Sequence, residues 1–269
     1  MKRIWLIGGT SESRQLAIAL TQANCPCTIT VTTAPARQLY PSHPYLKVIV
    51  GKLTPAQLAV FLQAEAIGAI VDASHPFAEE ISRLAIAAAT EFQIPYLRFE
   101  RSPIVAPSPS ETVLTLSSFE HLFQGNYLTD QRVLLTLGYR ALPLFIPWQN
   151  KATLFARILP SIEALEVALA AGFSSDRLLA LRPPFSLELE RALWQHWGIN
   201  LVITKASGTA GGEAIKRSLA AELGVTLIVI NRPQINYPRL TCDMGIVLNF
   251  CQQARCQAAN SQAANNSGG

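Results

Sequence analysis

Several features that define other protein classes are scarce in this sequence, and each absence narrows the possibilities. Only 15% of the 269 residues are charged, whereas 49% are hydrophobic, which excludes a disordered chain and favours a compact core. No apolar run approaches the roughly 20 residues that a membrane helix needs. The net charge of +4 is too small to indicate nucleic-acid binding, and no basic stripe with interleaved aromatics occurs. We therefore expect neither a membrane nor a nucleic acid as a partner.

Cysteine chemistry is also sparse. The five cysteines are an odd number, and the spacing of Cys25 and Cys27 fits neither a zinc motif nor a thioredoxin motif. We therefore expect no metal site. Because a strand is predicted from residue 4 onward, we also expect no signal peptide and a cytoplasmic protein with reduced thiols.

Two familiar phosphate-binding signatures are missing, since neither G-x-G-x-x-G nor G-x-x-x-x-G-K-[ST] occurs. What is present is a strand-like run at residues 4–7 that ends in a glycine pair and leads into a helical pattern. Glycines let a ligand approach the backbone, and a helix N-terminus at the end of a strand suits a phosphate. A tight turn without a ligand is the alternative. The residues of this turn are Gly8, Gly9, Thr10, Ser11 and Glu12.

The first half of the chain alternates between strand and helix patterns. Helices are predicted at residues 55–65 and 77–91, and the spacing predicts right-handed βαβ units with a parallel, doubly wound sheet. In the usual strand order the first and fourth strands are neighbours, and a ligand binds above their carboxyl ends. The predicted strands are residues 4–7, 28–33, 46–50, 69–72 and 94–99.

The end of the fourth strand therefore lies beside the glycine turn. Asp72, Ser74 and His75 place an acid, a hydroxyl and an imidazole there. Pro76 fits the first position of a helix, which would put His75 near the N-cap. A structural, hydrogen-bonded histidine is the alternative to a ligand-binding one.

The end of the second strand bears on the choice of cofactor. An enzyme that selects NAD usually has Asp or Glu there to bind the ribose 2′-hydroxyl. This chain has Thr33 and Arg37 instead, and a hydroxyl with a guanidinium suits a 2′-phosphate. A bound dinucleotide would then be NADP(H). The alternative is that Arg37 is a solvated surface residue.

Residues 102–110 contain three prolines and three serines without a period, which is typical of a domain boundary. We expect a first domain at residues 1–104, a second at 111–250, and a disordered tail at 251–269. The second half repeats the strand and helix alternation, which predicts a second three-layer α/β domain.

The second half carries its own candidate anion site at residues 205–212. This segment joins a strand end to a helix start and contains a lysine, two hydroxyls and three glycines, all of which favour anion binding. Arg140, Arg182 and Arg232 also follow strands, so several cations are expected at one sheet edge. A flexible loop with solvated charges is the alternative.

Six segments together resemble one known family. They are residues 8–14 (GGTSESR), 72–78 (DASHPFA), 95–101 (PYLRFER), 136–140 (TLGYR), 204–208 (TKASG) and 231–233 (NRP). In this order they are similar to the precorrin-6A reductases of cobalamin biosynthesis, including those that act on cobalt-precorrin-6A. Pro183 and Ala206 depart from the family pattern, where glycine and asparagine are usual.

The resemblance implies two Rossmann-like three-layer αβα domains with mainly parallel sheets and an active-site cleft between them. It implies that NADPH reduces one carbon–carbon double bond of a tetrapyrrole, (cobalt-)precorrin-6A. The catalytic candidates are His75 and Lys205, with water as a third possible proton donor. The cofactor-binding candidates are Gly8, Gly9, Thr10, Ser11, Glu12, Thr33, Arg37, Asp72, Ser74, His75 and Pro76. The substrate-binding candidates are Arg98, Arg101, Arg140, Lys205, Ser207, Gly208 and Arg232.

Two other functions remain open on the sequence. A cofactor-independent tetrapyrrole synthase or lyase also fits two α/β domains, but it has no need for the glycine turn. A non-catalytic NADP(H) sensor would keep that turn, but it has no need for clustered cations in the second domain.

Overall fold

The computed structural model of the protein describes residues 2–101, 112–208 and 211–266. The chain forms two compact units, one from Met1–Ser102 with Gln234–Gly269 and the other from Pro103–Pro233. The predicted boundary segment at residues 102–110 lies outside the described residues.

The first unit contains a parallel sheet of six described strands in the order β12-β5-β4-β1-β2-β3. Adjacent β1 and β4 pair Ile7 with Asp72, so the two strands end together. The chain leaves them in opposite directions, which creates a crevice at their carboxyl ends. The strands are β1 (Arg3–Ile7), β2 (Cys27–Val31), β3 (Leu46–Val50), β4 (Ile67–Asp72), β5 (Tyr96–Phe99) and β12 (Leu240–Thr241).

Alternate residues of these strands face two helical layers. Leu6 and Ile29 pack in a cluster with Leu16 and Phe250, whereas Trp5 packs on the other face with residues of the third and fourth helices. Period-two alternation in the strands thus supplies two cores, as expected of a three-layer α/β fold. The helices of this unit are α1 (Ser11–Gln22), α2 (Ala34–Arg37), α3 (Pro55–Ala64), α4 (Glu79–Glu91) and α9 (Met244–Asn266).

The second unit contains another parallel sheet of six described strands, in the order β6-β11-β10-β7-β8-β9. Its central neighbours β7 and β10 pair Thr136 with Thr204, and the chain again leaves them in opposite directions. The strands are β6 (Val113–Leu116), β7 (Arg132–Thr136), β8 (Thr153–Ile158), β9 (Leu178–Ala180), β10 (Leu201–Lys205) and β11 (Thr226–Ile230). The helices are α5 (Phe119–Gln124), α6 (Ile162–Ala170), α7 (Leu187–His196) and α8 (Glu213–Leu223), with 3-10 helices at Tyr139–Trp148 and Ser175–Arg177.

The structure corrects the predicted end of the chain. Residues 234–250, assigned to the second domain from the sequence, pack in the first unit, and the predicted disordered tail is helical through Asn266. Val247, Phe250, Cys251 and Ala254 of α9 are buried in the core beside α1. Their burial supplies the free energy that orders a segment with little apolar bulk.

One helix start also differs from its prediction. The backbone N–H of Ala78 donates to the carbonyl of His75 at 2.7 Å, and this turn delays α4 until Glu79, with Ala78 as its N-cap. His75 is therefore not the capping residue. Within the described part of the chain, no helix is long and apolar enough to cross a membrane.

Candidate functional site

The glycine turn after β1 is built by the side chains of Thr10, Ser13 and Tyr40. The Thr10 hydroxyl accepts from the N–H of Ser13 and the Ser13 hydroxyl accepts from the N–H of Thr10, each at 3.0 Å, which closes a capping box. Thr10 Oγ1 also donates to the carbonyl of Ala73 at 2.8 Å. The turns after β1 and β4 are thus tied directly to each other.

The Tyr40 hydroxyl lies against the glycine turn and leaves no room for a side chain at Gly8. The hydroxyl accepts from the N–H of Gly9 at 2.7 Å, and a Cβ built on Gly8 would lie 2.2 Å from that oxygen. Gly9 has φ +100° and would place a Cβ in open space, so its left-handed conformation requires glycine while its outer side stays accessible. Tyr40 was missed from the sequence because its contacts are 27 and more residues away.

The end of β4 is held by a buried polar cluster. Asp72 is 0% exposed. Its carboxylate accepts from Arg98 Nη1 at 2.8 Å, from the Ser82 hydroxyl at 2.6 Å and from the Tyr96 hydroxyl at 2.9 Å. Burial and then the charge of Asp72 raise the pKa of Tyr96, which keeps the phenol a proton donor. Three side-chain donors therefore satisfy the Asp72 carboxylate inside the unit, whereas Arg98 Nε and Nη2 have no hydrogen-bond partner among the described residues.

This cluster changes the interpretation of Asp72 and Arg98. The Arg98 side chain is also 0% exposed, so neither residue is an exposed ligand contact, although Arg98 lines a small cavity. Both instead hold Ser74, whose N–H donates to Asp72 at 3.0 Å and whose hydroxyl accepts from Arg98 at 2.9 Å. The sequence predicted Arg98 as a substrate-binding residue because it could not show that the guanidinium is paired with Asp72.

His75 follows this cluster and is exposed, whereas Pro76 is buried. The N–H of Phe77 donates to His75 Nδ1 at 3.2 Å. A neutral imidazole that accepts at Nδ1 carries its proton on Nε2, and this hydrogen bond orients the ring.

A small cavity gathers predicted residues from three separate segments. Glu12 and Arg101 form an ion pair at 3.0 Å beside it, so the charge of Arg101 offsets an acid next to the N-terminus of α1. Residues that were assigned to cofactor and to substrate thus share one wall. The cavity is lined by Thr10, Glu12, Ala73, Ser74, Pro76, Arg98, Phe99, Glu100 and Arg101.

The structure places Thr33 and Arg37 at the short helix that follows β2. Thr33 is the N-cap residue of the short helix α2, and Arg37 lies in that helix's last turn. Arg37 is exposed, and no ion pair with a carboxylate of the described residues is found for it. Because β2 pairs with β1 in parallel, both residues lie at the same sheet edge as the glycine turn.

In the second unit the structure brings Arg140 and Lys205 together at the ends of β7 and β10. The Arg140 guanidinium lies 5.5 Å from the Tyr139 ring centroid and is exposed. Burial and then the charge of Arg140 lower the pKa of Lys205. Two cations that repel each other in this way favour an anionic ligand between their charges.

The loop after β10 already uses some of its own donors. Gly208 was predicted to bind a substrate anion. In the structure its N–H donates to Glu213 at 3.1 Å, so this donor is already used within the protein. Ser207 is 8% exposed, and Arg232 Nε donates to the carbonyl of Ala206 at 2.9 Å. Arg232 therefore also supports the loop. Glu213 was missed because an acid in the first turn of a helix looks like an ordinary surface residue.

The strand order, the glycine turn and the helix N-terminus at β1 define the class of dinucleotide-binding α/β proteins. Comparison with known proteins narrows this class. The family model described as precorrin-6x reductase CbiJ/CobK matches residues 3–252. The chain belongs to this family, whose members are oxidoreductases that use a nicotinamide cofactor.

Individual relatives agree. The cobalt-precorrin-6A reductase of Synechocystis sp. is 49% identical over 93% of this chain and 96% of its own length. That of Priestia megaterium is 35% identical over 87% and 92%, and the precorrin-6A reductase of Rhodococcus erythropolis is 33% identical over 90% and 94%. The solved structure of CobK precorrin-6A reductase aligns with a TM-score of 0.78 over 94% of this chain and 98% of that chain. At 23% identity this last likeness confirms the fold.

The buried pair at β4 generates a stability prediction. Replacing Arg98 by Met leaves the Asp72 carboxylate buried without a cation, so we expect the free energy of unfolding to fall by about 3 kcal/mol. Urea denaturation measures this loss. As a control, Lys52→Met removes the exposed pair with Glu80 and should cost less than about 1 kcal/mol.

The double variant Asp72→Asn/Arg98→Met decides whether the loss comes from the pair. The double variant should lose less unfolding free energy than the sum of the losses in the two single variants, because it leaves no unpaired buried charge. Simply additive losses would contradict the pairing.

Proposed function

We propose that the protein transfers a hydride from NADPH to a carbon–carbon double bond of (cobalt-)precorrin-6A. The observation that carries this proposal is the pairing of β1 with β4, which places an accessible glycine turn beside Ser74 and His75 at one sheet edge. Membership of the precorrin-6x reductase family and the names of the close relatives support the substrate.

The residues present fit a dinucleotide at this edge. Gly9 leaves open space where any other residue would carry a Cβ, and the N–H groups of Ser11 and Glu12 lie in the first turn of α1, where a helix offers them no acceptor. These groups would bind the pyrophosphate. Thr10 and Gly8 would shape the turn rather than bind, since their polar contacts are within the protein.

The residues at the end of β2 favour NADPH over NADH. No acid is present from Cys27 to Arg37, so the usual partner of a ribose 2′-hydroxyl is missing. Thr33 and the exposed Arg37 would bind the 2′-phosphate, because a guanidinium forms bidentate hydrogen bonds with phosphate oxygens.

The protein's part in the reaction is to orient and to supply charge. When bound, NADPH supplies the hydride, and a proton from His75, Lys205 or water would add to the neighbouring carbon and complete the reduction. His75 would contact the nicotinamide or its ribose, while Asp72 and Arg98 fix the turn that carries His75. Arg140 and Lys205 would bind carboxylates of the tetrapyrrole.

A cofactor preference tests the first unit. Arg37→Ala should weaken NADPH binding roughly tenfold or more, since it removes a charge-assisted contact, and should leave NADH binding unchanged. Fluorescence titration gives both dissociation constants. Lys47→Ala, which removes a cation near the start of β3, is the matched control and should change neither. Equal losses for NADPH and NADH would refute the assignment of Arg37.

A pH profile tests the second unit. Lys205 is cationic below its lowered pKa and neutral above it, so carboxylate binding should weaken as pH rises through a range that begins below the ordinary lysine value. The KM for the tetrapyrrole at saturating NADPH should therefore rise there. In Lys205→Arg the KM should stay flat, because a guanidinium keeps its proton.

The neighbouring cation provides an internal check on the same profile. Arg140→Gln removes the repulsion that helps to lower the Lys205 pKa, so the rise in KM should move to higher pH. A KM that rises over the same pH range in Lys205→Arg as in the unsubstituted protein would count against Lys205 as a substrate-binding group.

A further inference from the structure

Lys216 is a buried cation that none of the roles above uses. Lys216 lies in the first half of α8 and is only 1% exposed. Its Nζ donates to the carbonyl oxygens of Gly211 at 3.0 Å and Gly212 at 3.2 Å. The ammonium group is thus directed back onto the loop that leads into its own helix.

Glu213, one turn earlier in α8, binds the same loop at another point. It is 3% exposed, its Oε2 accepts from the N–H of Gly208 at 3.1 Å, and its Oε1 accepts from Arg217 Nε at 2.9 Å. The buried cation Lys216 therefore binds carbonyl groups of the loop, and the buried anion Glu213 binds one of its N–H groups.

Packing alone does not account for the charge of Lys216. Burial and then the charge of Arg157 lower the pKa of Lys216 to about 8, although Glu190 and Glu213 act in the opposite direction. An apolar side chain would fill the same space without this desolvation cost, as Leu219 does one turn later at 0% exposure. The amine is therefore explained by the two carbonyls that it binds.

The held loop also sets the position of a predicted substrate residue. A Cβ built on Gly211 would lie 1.7 Å from Ser207 Oγ, so the Ser207 hydroxyl packs directly on the Gly211 backbone. Any movement of the Gly211 carbonyl changes the place of that hydroxyl. A chain of contacts thus leads from Lys216 through Gly211 to Ser207, two residues after Lys205.

We propose that Lys216 and Glu213 are positioning residues for substrate binding, which hold the loop after β10 so that Ser207 and Lys205 bind carboxylates of the tetrapyrrole. This inference rests on the proposed function. Lys216 acts through the loop backbone and does not contact the substrate itself.

The test compares two uncharged side chains of similar length. Lys216→Met cannot donate to the loop carbonyls, whereas Lys216→Gln keeps an N–H₂ donor. We expect the KM for the tetrapyrrole to rise about tenfold in Lys216→Met and clearly less in Lys216→Gln, with the dissociation constant of NADPH unchanged in both. Leu219→Ala is the matched control, since it destabilises the same helix without removing a hydrogen bond to the loop, and its KM should stay within about twofold.

A second pair keeps the test decisive if Lys216→Met does not fold. Glu213→Gln keeps an oxygen that accepts from Gly208, and Glu213→Leu does not, so the KM should rise only in the second. NMR amide exchange at Gly208 and Gly211, measured without substrate, should be faster in Lys216→Met and Glu213→Leu than in Leu219→Ala.

The outcomes separate this inference from the proposed function. Equal KM values for Lys216→Met, Lys216→Gln and the unsubstituted protein would overturn the positioning role while leaving the reductase assignment intact. An equal rise in all variants, Leu219→Ala included, would also overturn it, since general destabilisation would then explain the effect. If the unsubstituted protein binds NADPH but does not turn over the tetrapyrrole, the proposed function fails, and the amide-exchange comparison still decides whether Lys216 holds the loop.

Discussion

The buried ion pair between Asp72 and Arg98 is the interaction on which the first unit depends. It joins β4 to β5, and the returning C-terminal segment completes its surroundings: the Tyr237 ring lies 5.2 Å from the guanidinium, and the N–H of Arg98 donates to the carbonyl of Arg239 at 2.8 Å. Since an uncompensated buried charge costs several kcal/mol, these elements are stable only together. The turn that carries Ser74 is thereby fixed by contacts far from it in sequence.

Both units use the same design, a parallel sheet whose two central strands send the chain in opposite directions. At each of these points the protein fills some of the backbone donors with its own groups, the Tyr40 hydroxyl at Gly9 and the Glu213 carboxylate at Gly208. The proposed phosphate and carboxylate ligands would then be recognised by the remaining N–H groups and by cations. Under the proposed function, this would explain how an anion is bound at these edges without a G-x-G-x-x-G sequence.

Much of this architecture was predictable, because buried parallel strands are continuous apolar runs and the strand order then makes Gly8 and Asp72 neighbours. The sequence did not reveal which charges are internal. Arg98 was predicted to bind substrate and Lys216 was not singled out, because their partners, Asp72 and the carbonyls of the preceding loop, become neighbours only in three dimensions. Helix α9 was missed for a related reason, since its buried side chains include small residues such as Cys251 and Ala254 and its sequence from Gln252 onward is mostly Gln, Ala, Asn and Ser.

The central claim is that a hydride passes from a nicotinamide to carbon of a tetrapyrrole. The most direct measurement is mass spectrometry of the product formed in ordinary water from NADPH that carries deuterium on one face of nicotinamide C4, repeated with the opposite face labelled. The account predicts that the product gains one non-exchangeable deuterium with one of the two labels and none with the other. A reduced product without deuterium from either label would contradict it.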